Sequence, residues 1–264
     1  MDKKRVLVIG LEDKDVKAIR AELGLEYILV HYDLLPKVQL HQGTLLVESP
    51  SVTGKFYPVD KVIFHGIFAD DYDFITLLAL WGGPCLPNAT GMMDLRQRIP
   101  GLARALKVSR FSGIKRSMVL GGQPFYSPTE VVAKWGIWHC GEDKAKFTGE
   151  WTSTEPSVIE DFIEGDAVRI MIVGDQHWQI KLTGDTWLKS IHNEGSGQMP
   201  INSDLLEDGQ NIARHFNLLT VGVDYIVGRD GTNYLLEVNH IPNVTVFPFV
   251  NEAFVGFSAN WVKL

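Results

Sequence analysis

The sequence predicts a mixed α/β protein: a small parallel α/β unit opens the chain, and antiparallel hairpins with covering helices follow it. Three observations carry the prediction. An apolar run, a helical repeat and a second apolar run succeed one another between Arg5 and Val30. Pairs of β-rich runs flank Gly174-Asp175-Gln176 and Asp230-Gly231 at hairpin spacing. Between those hairpins, Ser203–Phe216 carries Leu205, Leu206, Ile212 and Phe216 on or near one helical face.

Taken in order, RVLVI at residues 5–9 is a continuous apolar run ending at Gly10. Asp13–Leu23 follows with Val16, Ile19 and Leu23 at helical spacing, and Gly24 is its stop. Tyr27–Val30 is the next strand, and strand–helix–strand in this order specifies a parallel unit. Thr44–Val47 and Val59–His65 are further strands, and Tyr72–Trp81 is apolar enough to be a covered helix. Gly10 reads as a turn glycine and His65 as a structural histidine. Pro87–Leu106 combines a turn, a helix signal and Pro100-Gly101. Glu130–Ala133 is strand-like and delivers Lys134 at its end, before the loop WGIWHCGEDKAKF returns as a second strand. Val168–Val173 and His177–Leu182 pair across a three-residue loop, which places Arg169 opposite Lys181. Two facing cations repel unless an anion lies between them. Thr183–Pro200 is polar and glycine-bearing, a mobile substrate loop. Val246–Leu264 holds a closing helix.

Composition removes several function classes. The chain has 264 residues, 45% hydrophobic and 22% charged, the balance of a soluble globular protein. A net charge of −7 argues against nucleic-acid or anionic-membrane partners, which need basic faces. No apolar run reaches membrane-spanning length, and the N-terminal run of five is too short for a secretory signal. Cys85 and Cys140 are far apart and lack metal-ligand spacing, so reduced thiols in a cytosolic enzyme are expected. Nucleophile-elbow, Walker-lysine and dinucleotide fingerprints are absent.

The most informative stretch is Val221–Asn243, VGVDYIVGRDGTNYLLEVNHIPN. Asp-Gly between β-rich runs is a strong signal for a two-residue hairpin turn. With that turn, Asp224 faces Glu237 and Gly222 faces Asn239. Asp224, Glu237 and Asn239 then share one face, while Val223, Tyr225, Leu236 and Val238 share the other. Opposed carboxylates repel unless a cation sits between them, and two carboxylates with an amide oxygen suit Mg²⁺ or Mn²⁺ rather than zinc. Gly222 leaves room above Asn239. The alternative is an exposed face of solvated acids.

GVDYIV…YLLEVNHIPN resembles the metal-binding end of the ATP-grasp superfamily, which includes glutathione synthetase, D-alanine–D-alanine ligase and the ribosomal-protein glutamate ligase. The resemblance covers roughly Pro87 to Pro248. It implies a small N-terminal α/β domain at 1–88, followed by two α+β subdomains clasping ATP: a lid at 89–165 and a metal-bearing subdomain at 166–264. Asp224, Glu237 and Asn239 take the metal-ligand positions. Arg98, with Arg96 as the alternative, takes that of a phosphate-binding cation, and Lys134 that of the lid lysine. Glu160 precedes the adenine hinge Asp161-Phe162-Ile163, and Asp166 takes the ribose position. The family has two residues between that glycine and the next arginine, whereas three separate Gly165 from Arg169. Arg169 and Lys181 fall on the phosphate and acyl-phosphate side. Glutathione-synthetase-like enzymes carry Arg-x-Asn in the substrate loop; here Lys189 or Asn193 stands in for it.

The resemblance implies a cytoplasmic ATP- and magnesium-dependent ligase joining a carboxylate to an amine through an acyl phosphate. Its substrates would be small molecules or peptides, with no nucleic acid or membrane partner, and homodimers are common among the resembled enzymes. A kinase on the same fold and an ATP-binding protein without turnover are the alternatives.

Overall fold

A computed structural model describes residues 3–136 and 143–264. Trp138, His139, Cys140 and Gly141 of the expected lid loop lie outside the described residues.

The N-terminal unit contains β1 (Lys4–Ile9), α1 (Asp13–Glu22), β2 (Tyr27–Tyr32), β3 (Val38–His41), β4 (Thr44–Glu48), β5 (Phe56–Pro58), β6 (Lys61–Phe64), α2 (Asp71–Trp81) and β7 (Cys85–Leu86). Strands β2-β1-β6-β7 form a parallel sheet, as the opening pattern predicts, and β3-β4-β5 form a small antiparallel one. Both faces of β1 are covered: Val6 and Val8 pack with α1, and Leu7 and Ile9 with α2. That double burial is why β1 reads as an unbroken apolar run rather than an alternating one. Gly10 has φ +73°, and a Cβ there would lie 1.8 Å from the His65 carbonyl oxygen, so its glycine serves a close backbone approach.

Two helices, α3 (Ala89–Leu95) and α4 (Arg98–Ala105), lead to the next sheet. Asn88 caps α3, its side-chain oxygen accepting from the Thr90 and Gly91 amides. Pro100 sits in the first turn of α4, where a missing N–H costs nothing. The second sheet contains β8 (Arg116–Val119), β9 (Phe125–Trp135), β10 (Lys144–Trp151) and β11 (Ser157–Asp161), in the antiparallel order β10-β9-β11-β8.

The third sheet is the base of the molecule. It contains β12 (Gly165–Val173), β13 (Gln176–Lys181), β14 (Gly197–Met199), β15 (Thr220–Gly228) and β16 (Asn233–Asn239), with α5 (Ser203–His215) and α6 (Pro248–Lys263). Its order is β14-β13-β12-β15-β16, all antiparallel. Alternation along β12 sorts its two faces. Val168, Ile170 and Ile172 pack on Leu205, Ile212 and Phe216 of the α5 segment. Ala167, Met171 and Val173 join α6 and the N-terminal unit in one core, where Val250, Phe254 and Ala259 meet Val6, Val8, Val16 and Ile19. Lys61 Nζ donates to the Trp261 carbonyl at 3.1 Å and Asn251 Nδ2 to Asp15 Oδ1 at 3.1 Å, so α6 is tied to the first unit by polar contacts as well. Among the described residues no helix is long and apolar enough to cross a membrane.

The β12–β13 turn corrects one expectation. Val173 pairs with Gln176, so the loop is the two residues Gly174-Asp175. Arg169 therefore faces Ile180, and Lys181 faces Val168 on the other side of the sheet. One residue of loop length moved Lys181 to the opposite face.

Candidate functional site

The acidic hairpin has the expected pairs by an unexpected route. Asp224 faces Glu237 and Gly222 faces Asn239. The turn, however, is a three-residue loop, Arg229-Asp230-Gly231, with Gly231 at φ +81° and Gly228 N donating to the Thr232 carbonyl. Tyr225 consequently pairs with Leu235 rather than Leu236. A bulge at Leu236 then restores the register before Glu237 is reached. The same bulge corrects the facing of two residues: Leu235 is fully buried beside Tyr225 and Val238, and Leu236 lines the cleft.

Asp224 is buried and receives Arg169 bidentately, Nε to Oδ1 at 2.6 Å and Nη2 to Oδ2 at 2.8 Å. Burial opposes the guanidinium's charge, and the facing Asp224 carboxylate more than offsets it, so Arg169 titrates above its ordinary range. Asn239 Nδ2 adds a bond to Asp224 Oδ2 at 3.1 Å. The space at Gly222 belongs to this arrangement rather than to Asn239. A Cβ there would lie 3.2 Å from the Pro242 Cβ and 3.3 Å from the Arg169 Cδ. Behind the acidic face, Tyr225 donates to Asp208 Oδ2 at 2.8 Å, and Asp208 also accepts from Ser109 Oγ, which anchors the hairpin to α5.

Across the cleft stands the β8–β11 sheet. Its register places Lys134, Lys144, Lys146, Glu160 and Arg116 on one face. Lys134 and Glu160 are buried, with Nζ and Oε2 2.5 Å apart, and Arg116 Nε donates to Glu160 Oε1 at 2.7 Å. Burial pushes the Glu160 carboxyl up, but Lys134 and Arg116 pull harder and hold it below the usual carboxylate range. Arg116 also reaches the base, Nη2 to the Leu235 carbonyl at 2.8 Å, just before the bulge. Lys144 Nζ lies 3.3 Å from Glu237 Oε2. Lys146 pairs with Glu130 at 3.0 Å and stands 4.4 Å from the Phe162 ring centroid.

The two sheets enclose a cleft of about 1020 Å³. Asp161, Phe162 and Ile163 line it where β11 passes into β12, and Val132, Ile226 and Leu236 add apolar walls. Trp187 meets Phe162 edge-on, with centroids 6.3 Å apart. Lys134, Glu160, Arg169, Asp224, Glu237 and Asn239 all line the cleft. His65 closes the N-terminal wall, and desolvation lowers it to about 4 despite the nearby Glu12, so its imidazole is neutral at pH 7.

Other expected site residues are placed differently. Asp166 pairs with Lys181 at 3.2 Å on the face turned away from the cleft, because it shares the parity of Val168 rather than of Arg169. At that corner Glu164 and Arg229 line the cleft instead and pair at 2.9 Å. Arg98 is buried and donates Nη1 to the carbonyls of Trp135 (2.5 Å) and Asp143 (3.3 Å), bracing the ends of the β9–β10 loop. Arg96 is sealed within the N-terminal half, bound to Asp71 Oδ1 and the Phe68 carbonyl. Lys189 lines the cleft, but its ammonium donates to the Gly184 and Thr186 carbonyls of its own loop. Asn193 Oδ1 accepts from Thr183 Oγ1 and the Gly195 amide.

No protein-family model matches the chain, and no curated protein matches it in sequence. Solved structures match over nearly its whole length. A Chryseobacterium gregarium RiPP-associated ATP-grasp ligase in complex with ADP and a leader and core peptide superposes with TM-score 0.65 at 13% identity, covering 97% of each chain. D-alanyl-alanine synthetase A from Vibrio cholerae gives 0.63 at 14% identity, covering 100% of this chain and 98% of that one. The ATP-grasp ligase PsnB complexed with a minimal precursor, Mg and ADP gives 0.62 at 14%, covering 98% of each. The chain has the ATP-grasp fold.

Within the ATP-grasp fold the acidic hairpin can be tested as a cation site. Among the described residues no group of three His, Cys, Asp or Glu is placed to hold a metal ion. The hairpin instead offers two carboxylates and one amide, all oxygen donors; Asp224 Oδ1 keeps a second lone pair beyond its guanidinium bond, while Oδ2 also accepts from Asn239 Nδ2. That set fits a hard cation that takes its remaining ligands from elsewhere, the habit of Mg²⁺ with phosphates. Sequence reasoning missed Arg116, Lys144, Lys146 and Leu236. The alternation of Lys144 and Lys146 in KAKF was the available signal.

Proposed function

We propose that this chain is an ATP- and magnesium-dependent ligase that joins a carboxylate to an amine, releasing ADP and phosphate. One observation carries the reading: a hairpin bearing Asp224, Glu237 and Asn239 faces a lid bearing Lys134, Lys144 and Lys146 across a cleft of about 1020 Å³. Residues 1–88 form the substrate-side wall, 89–165 the lid and 166–264 the metal-bearing base. The backbone of Asp161-Phe162-Ile163 takes adenine, with Phe162 and Ile163 as apolar cover, and Glu164, which lines the cleft where Asp166 does not, takes the ribose. Lys134, oriented by Glu160, meets the phosphates. Mg²⁺ on Asp224, Glu237 and Asn239 would supply charge neutralisation of the transferred phosphoryl group. Arg169, fixed against Asp224, would hold acyl-phosphate oxygens while the amine displaces phosphate. No protein nucleophile is required. The neighbour complexed with a leader and core peptide supports a peptide or small-molecule carboxylate and amine as substrates.

The test is release of ADP and phosphate from Mg·ATP with pooled carboxylic acids, with and without pooled amines, and product masses read in parallel. ADP release that needs both pools, with a product lighter by one water, is expected. A stable phosphorylated product without amine dependence would make the protein a kinase. AMP release would refute the acyl-phosphate route, and nucleotide binding without turnover would leave a binding protein.

A further inference from the structure

We propose that Lys144 is an exchangeable counter-ion of Glu237, held there until a divalent cation takes its place, so that metal binding unlatches one edge of the lid. The inference rests on the metal reading above. Lys144 stands directly opposite Lys134 on the neighbouring strand, and two ammonium groups so placed repel. Lys134 resolves the conflict within its own sheet, through Glu160 at 2.5 Å. Lys144 resolves it by leaving its sheet and crossing the cleft to Glu237 Oε2 at 3.3 Å.

The two hairpin carboxylates are therefore neutralised in different ways. Asp224 has a counter-ion built into the base, with two short contacts from Arg169 on the adjacent strand. Glu237 takes a positive charge from the lid, through a longer contact between side chains that are 15% and 13% exposed. A divalent cation at Glu237 brings two charges to the carboxylate that Lys144 holds, and the ammonium must then retreat. Lid and metal thus compete for one group, and each weakens the other's hold by the same factor.

The geometry of the lid sheet turns this exchange into a motion. In the order β10-β9-β11-β8, Lys144 lies on one edge strand and Arg116 on the other. Arg116 binds the Leu235 carbonyl, a main-chain acceptor that a metal does not compete for. The β8 edge therefore stays pinned as a pivot, and the β10 edge opens when Lys144 lets go.

The experiment titrates Mn²⁺ without nucleotide into the full chain and into the Lys144→Met, Lys144→Arg and Glu237→Gln variants. Binding is followed by electron paramagnetic resonance, and amide exchange of β8 and β10 is read by mass spectrometry. Lys144→Met should bind Mn²⁺ about fivefold tighter, and Lys144→Arg should stay within about twofold of the parent. Mn²⁺ should speed exchange along β10 but not β8 in the parent, and Lys144→Met should show fast β10 exchange without metal. Equal Mn²⁺ affinity in the parent and Lys144→Met, with binding lost in Glu237→Gln, would overturn the exchange alone. So would β10 exchange indifferent to Mn²⁺. Mn²⁺ binding indifferent to Glu237→Gln would overturn the metal reading and the exchange with it.

Discussion

The acidic hairpin and the Thr183–Pro200 loop border the same cleft, yet they hold their polar side chains by opposite means. In the hairpin the backbone ladder of β12, β15 and β16 does the positioning, so Asp224 and Glu237 stand opposite each other whatever their side chains do. In the loop the polar side chains themselves do the positioning. Lys189 binds the Gly184 and Thr186 carbonyls, Asn193 gathers Thr183 and Gly195, and Ser196 Oγ donates to the Ser190 carbonyl. A polar residue points to chemistry where the main chain is already satisfied without it. Where the main chain depends on it, the same residue type is structure.

That contrast can be broken at several points. Asp224→Ala has the largest expected effect, because it leaves the Arg169 guanidinium buried without its carboxylate. Stability to denaturant should fall by about 3 to 5 kcal/mol, and turnover should vanish with it. Glu237→Gln should keep the fold and lower kcat by about a hundredfold, since its partner Lys144 can return to solvent. Unchanged turnover would remove Glu237 from the site. His65 extends the comparison to the N-terminal wall. Its folded pKa of about 4 lies below the unfolded value near 6.5, so the unfolded chain takes up the proton first. The associated stability is complete above pH 6.5 and is lost as pH falls through 4. Between pH 7 and 4.5 the parent should lose about 2 to 3 kcal/mol more than His65→Leu in denaturant titrations. Gly222→Ala would press on Arg169 and Pro242 and should cost about 1 kcal/mol. Lys189→Ala should be mildest, changing KM and kcat by less than about threefold. A hundredfold loss there would show that Lys189 leaves its loop for the substrate, and the contrast would fail.

Local pattern carried the sequence reading as far as local causes reach. Strand β1, helices α1, α2 and α5 and strand β9 with Lys134 at its end follow from periodicity and stop signals. The short strands β3, β5 and β8 have too little apolar repetition to stand out, and neighbouring strands made them. Loop length is where the reading strayed. A three-residue loop at Arg229–Gly231 and a bulge at Leu236 cancel, so the Asp224–Glu237 pair was anticipated for a reason that does not hold. At Gly174-Asp175 no bulge compensates, and Arg169 and Lys181 part to opposite faces. Arg116 and Lys144 were invisible as site residues for another reason. Their partners Leu235 and Glu237 lie 119 and 93 residues away, and only the apposition of two sheets brings them together.

Helix α6 has a consequence for how the chain is made. Val6, Val8, Val16 and Ile19 are covered in part by Val250, Phe254 and Ala259, near the opposite end of the sequence. A ribosome delivers the first parallel sheet well before the helix that seals one of its faces. That face must stay open to water, or to a chaperone, until residues 248–263 emerge. Ribosome-bound chains arrested before α6 should therefore expose β1 and α1 to protease, and arrest beyond it should protect them together in a single step.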